Sequence, residues 1–325
     1  MKRIIAIAAL ICYPLLNISA QGFPQADISN KIIKAKLYLP DTQKGYYQGT
    51  RFDWSGVMPE LLYKGHSYFA QWFNDYNPKT HDAILGPVEE FFELGYNEAK
   101  PGEEFLRIGI GGLKKPEEDG FKRFGLYDIS NPGKWDIKTA EDKVTFTHTL
   151  NDVAGYSYVY TKTVLLKDGE PKLILQHSLK NTGKKAIETV AYNHNFFVID
   201  NQSIGPEIII KFPFDIVGKW NNPNGPSVIE GKNIKYTREL NARESVMIEE
   251  VKGHGNSVSD YDFRIENLKT GAGVRITNNR PISKIVFWSN PKTSCPEPYI
   301  DINVKPGEEF TWDTTYEFYT FTSQK

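Results

Sequence analysis

The stretch YSYVYTKTVLLKDGEPKLILQHSLKN, residues 156–181, decides the fold. Tyrosine, valine, threonine and leucine fill its first half, and apolar residues alternate with polar ones through its second. Between the halves stands Lys167-Asp168-Gly169-Glu170-Pro171, a run of turn-forming residues. Two β-prone runs joined by such a turn read as an antiparallel hairpin. The pattern extends both ways. KVTFTHTL (143–150) precedes it, and beyond the turn at Asn181-Thr182-Gly183 come EIIIKF (207–212), SVMIEEV (245–251), YDFRIENL (261–268), GVRITNN (273–279) and SKIVFWSN (283–290). A last long run, EEFTWDTTYEFYTF (308–321), is entered through KPGEE. Only HDAILGPVEEFFEL (81–94) is expected to hold a turn or two of helix. Short strands at regular spacing with turn signals between them predict one all-β domain over residues 21–325, a large antiparallel β-sandwich.

Composition narrows the partners. Lys and Arg number 39 against 40 Asp and Glu, so neither a basic face for nucleic acid nor an acidic tail is expected. The first twenty residues, MKRIIAIAALICYPLLNISA, carry a basic start, an apolar middle and the small pair Ser19-Ala20. This reads as a signal peptide cleaved after Ala20, which predicts a periplasmic or secreted protein. Lipidation at Cys12 is the competing reading and ranks below it, because Ile11 stands where a small residue is wanted. No later apolar run approaches membrane-spanning length, so no membrane insertion of the mature chain is expected. Cleavage would leave Cys295 as the sole cysteine, excluding an intramolecular disulfide. Aromatic residues make up 13% of the chain, which favours strands and offers stacking surfaces to sugar rings.

Several familiar chemistries lack their residues. GIGGLKK (109–115) misses the last glycine of a dinucleotide loop, and no helical pattern follows it. No Gly-x-Ser-x-Gly elbow exists. The six histidines show no metal-ligand spacing, and His148 and His177 sit mid-strand as ordinary strand residues. Neither metal nor cofactor is expected. Three polar clusters remain beside apolar strands: GTRFDWSG (49–56), NHNFF (193–197) and CPEPYI (295–300). An arginine, a histidine and a glutamate among aromatics and prolines suit a polyhydroxylated neutral ligand.

These clusters carry a resemblance to the aldose 1-epimerase, or galactose mutarotase-like, superfamily. LILQHSLKNTGKKAIETVAYNHNFFVID (173–200) resembles that family's hairpin leading into its Asn-His-x-x-Phe segment. SDYDFRIENLKTGAGVRITNNRPISKIVFWSN (259–290) resembles its aspartate-bearing strand. CPEPYIDINVKPGEEFTWDTTYEF (295–318) resembles its late glutamate and terminal strand, and GYYQGTRFDWSG (45–56) its early arginine segment more loosely. The resemblance implies the family's supersandwich fold and interconversion of sugar anomers. It implies that His194 is the general acid and Glu297 the general base, with Arg51 and Asp260 holding a small neutral sugar or oligosaccharide. Asn193 is expected to bind hydroxyls beside His194, and Trp288 to stack on the sugar. The family's second histidine, in a His-Gly-Gly loop, has no counterpart; His81 takes over that role, or Glu89 and Glu90 line the pocket, or that part of the site differs. His194 and Glu297, 103 positions apart, must then meet in one concave site. A non-catalytic sugar-binding protein, and a lyase or hydrolase on the same sandwich, are the competing functions.

Overall fold

The computed structural model describes residues 22–322. The expected signal peptide, its cleavage point and Cys12 lie outside the described residues. β1 (Gln25–Ser29), β2 (Ile33–Tyr38), β3 (Val57–Tyr63) and β4 (His66–Ser67) pair in that order as a small antiparallel sheet. β5 (Gly86–Phe91) passes into a larger sheet, and β6 (Glu104–Arg107), β7 (Gly111–Lys114) and β8 (Ile129–Asn131) form a three-stranded one. A meander follows: β9 (Lys134–Thr139), β10 (Lys143–Val153), β11 (Tyr156–Leu166) and β12 (Lys172–Asn181). Then come β13 (Ile187–Phe196), β14 (Ile208–Lys211), β15 (Val217–Trp220), β16 (Ser227–Glu230), β17 (Asn233–Tyr236) and β18 (Val246–Lys252). The chain closes through β19 (Asp262–Asn267), β20 (Ala272–Asn278), β21 (Lys284–Ser289), β22 (Ser294–Val304) and β23 (Glu309–Thr320).

Two sheets dominate. One has ten strands in the order β16-β17-β14-β19-β20-β23-β12-β11-β10-β9, and the other six in the order β15-β18-β21-β22-β13-β5. The opening stretch forms the expected hairpin, with Tyr158 opposite Asn181 and Leu166 opposite Leu173. Its alternation is the cause: Tyr158, Tyr160, Val164 and Leu166 turn inward and are fully buried, while their neighbours do not. The inner faces of the two sheets meet through side chains such as Tyr316 of β23 and Asn195 of β13, 2.8 Å apart. One hydrophobic cluster runs through both sheets and into the small N-terminal one.

The segment 81–94 corrects the helix expectation. Its core is strand β5, paired antiparallel with β13 from Phe91–Ala191 to Gly86–Phe196. Gly86 has φ of 87°, where a side chain is strained, and a Cβ there would strike Met58. All six residues of β5 are buried. A strand covered on both faces loses the alternation that would have identified it.

Candidate functional site

The site forms where the ladder between β13 and β22 opens. Pairing runs regularly from Ile187–Val304 to Tyr192–Tyr299, stops, and returns as a single bridge at Phe197–Ser294. The register is the same on both sides of the gap, so His194 stands opposite Glu297. Pro296 and Pro298 explain the gap, since neither has an N–H to donate toward β13. Asn195 spans it instead, its Nδ2 donating to the Pro296 carbonyl at 2.8 Å.

In that opening His194 Nε2 lies 3.1 Å from Glu297 Oε1, the approach anticipated for these two side chains. Both are buried, 4% and 5% exposed. The Phe196 ring stacks on the imidazole at 3.8 Å, and Phe52 meets it edge-on at 5.5 Å, which fixes the ring plane. Burial pushes the Glu297 carboxyl up to about 7, with Arg51 only partly opposing it. Burial and the Arg51 guanidinium hold the His194 imidazole well below its ordinary range. Its Nδ1 is buried and has no hydrogen-bond partner among the described residues. An unmatched lone pair is easier to bury than an unmatched N–H, so the neutral ring carries its proton at Nε2, toward Glu297.

Beside the pair lies a cluster of cations around one carboxylate. Glu90 accepts from Arg51 Nε at 2.8 Å, Arg107 Nη2 at 2.6 Å and Arg123 Nε at 2.9 Å, and Tyr192 donates to it as well. Burial alone would raise the Glu90 carboxyl, but the three guanidinia together pull it far below the usual carboxylate range. Arg51 also donates to Asp82 Oδ1 at 2.6 Å and to the Tyr192 hydroxyl at 3.2 Å. It is buried, and Asp53, two residues on, turns inward and accepts from Ser55 and Tyr160.

The pair, with Arg51, Arg123 and Asp82 beside it, lines a cavity of about 400 Å³. Trp72, Trp288, Phe124 and Tyr299 supply aromatic walls, and His81, Lys284 and Glu249 stand at its edge. His81 Nε2 is 3.0 Å from Asp82 Oδ2 and its ring lies against Phe124. His194, Glu297, Arg51, His81 and Trp288 therefore share one cavity. That volume falls within the range usual for small-ligand sites, roughly 300–1,000 Å³.

Two expected residues do not reach it. Asn193 neighbours His194 on a strand, so its side chain leaves by the opposite face, where it donates to Glu89 Oε1 at 2.7 Å. Asp260 sits in the short 3₁₀ turn Val258–Asp260, does not line the cavity, and accepts from the Gly255 N–H at 2.7 Å. Of the two alternative glutamates, Glu90 lies beneath the cavity and Glu89 faces away from it. Arg123 and Phe124 were missed by the sequence reading. They come from the irregular segment DGFKRFGLYD (119–128), whose cation set between aromatics and bracketed by Gly120 and Gly125 was the available signal.

No protein-family model matches the sequence, and no curated protein matches it by sequence. Solved structures do. A putative aldose 1-epimerase from Escherichia coli K12 superposes with a TM-score of 0.53 over 92% of this chain and 100% of its own, at 12% identity. A galactose mutarotase-like protein from Clostridium acetobutylicum gives 0.54 over 91% and 95%, also at 12% identity. The galactose mutarotase related enzyme from Lactobacillus acidophilus gives 0.53 over 92% and 99%, at 13% identity. The chain thus has the galactose mutarotase-like sandwich, the fold of the aldose 1-epimerase superfamily. At such identities the likeness defines the fold, and the reaction has to be argued from the site.

Proposed function

We propose that this protein is an aldose 1-epimerase-type enzyme that interconverts the anomers of a neutral sugar. The observation that carries the reading is the His194–Glu297 pair, 3.1 Å apart in a cavity with aromatic walls. Ring opening needs a proton delivered to the ring oxygen and another removed from the anomeric hydroxyl, and those two oxygens sit on the same carbon. An acid and a base this close serve both. His194 protonates the ring oxygen while Glu297 takes the hydroxyl proton. The chain then turns about the bond next to the new carbonyl, and both transfers reverse on its other face, restoring the pair. A carboxylate raised to about 7 is the stronger base, whereas the His194 imidazole, held low, is neutral near neutral pH and has to gain its proton as the sugar binds before it can act as the acid. In this reading Arg51 holds hydroxyls through the Nη N–H groups that remain after its bonds to Asp82 and Tyr192, and Trp288 faces the sugar ring.

A lyase or hydrolase would want, besides Glu297, a second carboxylate or a tyrosine near His194, and the cavity's own Asp82 is paired with Arg51 at 2.6 Å. Glu90 is held ionised by three arginines, Glu89 lies on the other face of the sheet, and burial pushes the Tyr299 hydroxyl up to about 12. The proposal extends to location: the basic, apolar and small-residue pattern of residues 1–20 supports export with cleavage after Ala20.

Glu297→Gln tests the reaction. Gln keeps the shape and one acceptor but cannot take the proton, so the polarimetric rate should fall about 10²–10⁴-fold. Sugar affinity by calorimetry should survive. An unchanged rate removes Glu297 from the mechanism. Sugar binding without any acceleration by the wild type, on a broad panel of aldoses, leaves a sugar-binding protein.

A further inference from the structure

A second cavity of about 220 Å³ adjoins the first, and the two share Met247 and Trp288 as a common ridge. These residues are register partners on β18 and β21, so the ridge is built into the six-stranded sheet. The far side is closed by the turn WNNPNGPS (220–227), which one hydrogen bond ties to β18 and two hold internally. The Asn221 N–H donates to the Met247 carbonyl at 3.0 Å, the Gly225 N–H to the Asn222 carbonyl at 3.0 Å, and Trp220 Nε1 to Ser227 Oγ at 2.9 Å.

The linings of the two cavities differ in kind. The first holds arginines, carboxylates and histidines, whereas no charged side chain lines the second. Trp220, Trp288, Asn221 and Asn222 are among its lining residues, with Asn222 Oδ1 accepting from the Asn224 N–H at 3.2 Å and its amide N–H groups left to donate. An aromatic face matches the C–H face of a sugar ring, and a carboxamide, donor and acceptor at once, matches its hydroxyls. Nothing there would offset the charge of a phosphate or a uronate.

We propose that the second cavity is a subsite for the next neutral sugar unit, so that the substrate is the reducing end of an oligosaccharide. The proposal rests on the epimerase reading for what happens in the first cavity. The reducing ring lies over His194 and Glu297, the glycosidic link crosses the Met247–Trp288 ridge, and the second ring rests between Trp220 and the two asparagines.

The test compares kcat/KM by polarimetry for glucose and galactose with reducing disaccharides bearing each at the reducing end. At least one disaccharide should exceed its monosaccharide by about tenfold or more, which corresponds to about 1.4 kcal/mol of additional contact. Trp220 packs partly against the core, so Asn221→Ala and Asn222→Ala are the main variants and Trp220→Ala is secondary. The asparagine variants should abolish the disaccharide advantage and leave monosaccharide kcat/KM unchanged. Disaccharides no better than monosaccharides, or variants lowering both alike, overturn the subsite. Should no sugar be turned over, the epimerase reading fails, and calorimetry on the same sugars still decides the subsite. Tenfold tighter disaccharide binding that the asparagine variants remove supports it, and equal or absent binding overturns it.

Discussion

The two faces of the β5–β13 pair hold similar residues put to different ends. On the inner face, between the sheets, Glu89 accepts from Lys162, from His177 at 3.0 Å and from Asn193 at 2.7 Å. Lys162 also reaches the Ser55 carbonyl and lies 3.9 Å from Asp53. Burial alone would raise Glu89, but Lys162 and His177 hold it ionised. On the outer face Glu90 is saturated by three arginines, yet Glu297 close by has no arginine or lysine within ion-pair distance among the described residues. The inner network closes on itself. The outer one ends in a carboxylate without a guanidinium or ammonium partner facing a cavity, and that asymmetry sets the two faces apart.

The largest effect should come from the sealed face. Lys162→Met leaves Glu89 and Asp53 buried without their cation and should cost about 3–5 kcal/mol in chemical denaturation. A loss under about 1 kcal/mol would show that the inner charges are not held as a unit, and the contrast between faces would collapse.

Glu297→Gln should have the opposite sign. A carboxyl raised from 4.5 to about 7 binds its proton more tightly in the folded chain than in the unfolded one. Its stabilising contribution is therefore complete below about pH 4.5 and lost as pH rises through about 7. Wild type bears that cost above neutrality and the Gln variant does not. The variant should be more stable by about 1–3 kcal/mol at pH 8, and the difference should close by about pH 4.5. A solvent-facing carboxylate would have made this substitution neutral; at 5% exposure it is not one. Denaturation curves at the two pH values check the sign, and a destabilised variant at pH 8 would mean that Glu297 is neutralised by a cation after all.

The smallest effect belongs to Asp260→Ala. Away from both faces and bonded to one backbone N–H, it should change stability by less than about 1 kcal/mol and leave sugar affinity and rate unaltered. A tenfold loss of sugar affinity would bring Asp260 back into the site.

What the sequence disclosed follows from period. Strands covered on one face, such as β11 and β12, declare themselves by alternation, while β5, buried on both, does not. The polar clusters around His194, Glu297 and Arg51 stood out because imidazole, carboxylate and guanidinium interrupt apolar runs. Side-chain direction was harder. Asn193 and His194 look equivalent in NHNFF, yet one step along a strand separates the cavity from the sheet interior. The same step separates Glu89 from Glu90. Arg123 and Phe124 reach the cavity from a segment without regular structure, where no period exists to place them.

The paired prolines of CPEPYI have a consequence for how such a site can diversify. Because β13 and β22 keep one register on either side of their gap, the separation of His194 and Glu297 is set by the interstrand spacing of a sheet, about 4.7–4.9 Å between neighbouring backbones, rather than by any loop. The segments 119–128 and 220–227, which furnish Arg123, Phe124 and the asparagines, hang from the rim of that framework. Insertions or exchanges in either can reshape what the cavity admits while the spacing of acid and base stays constant. If the proposed reaction holds, selectivity and chemistry sit on separate parts of the chain, and a lineage could change its sugar without rebuilding its proton transfer.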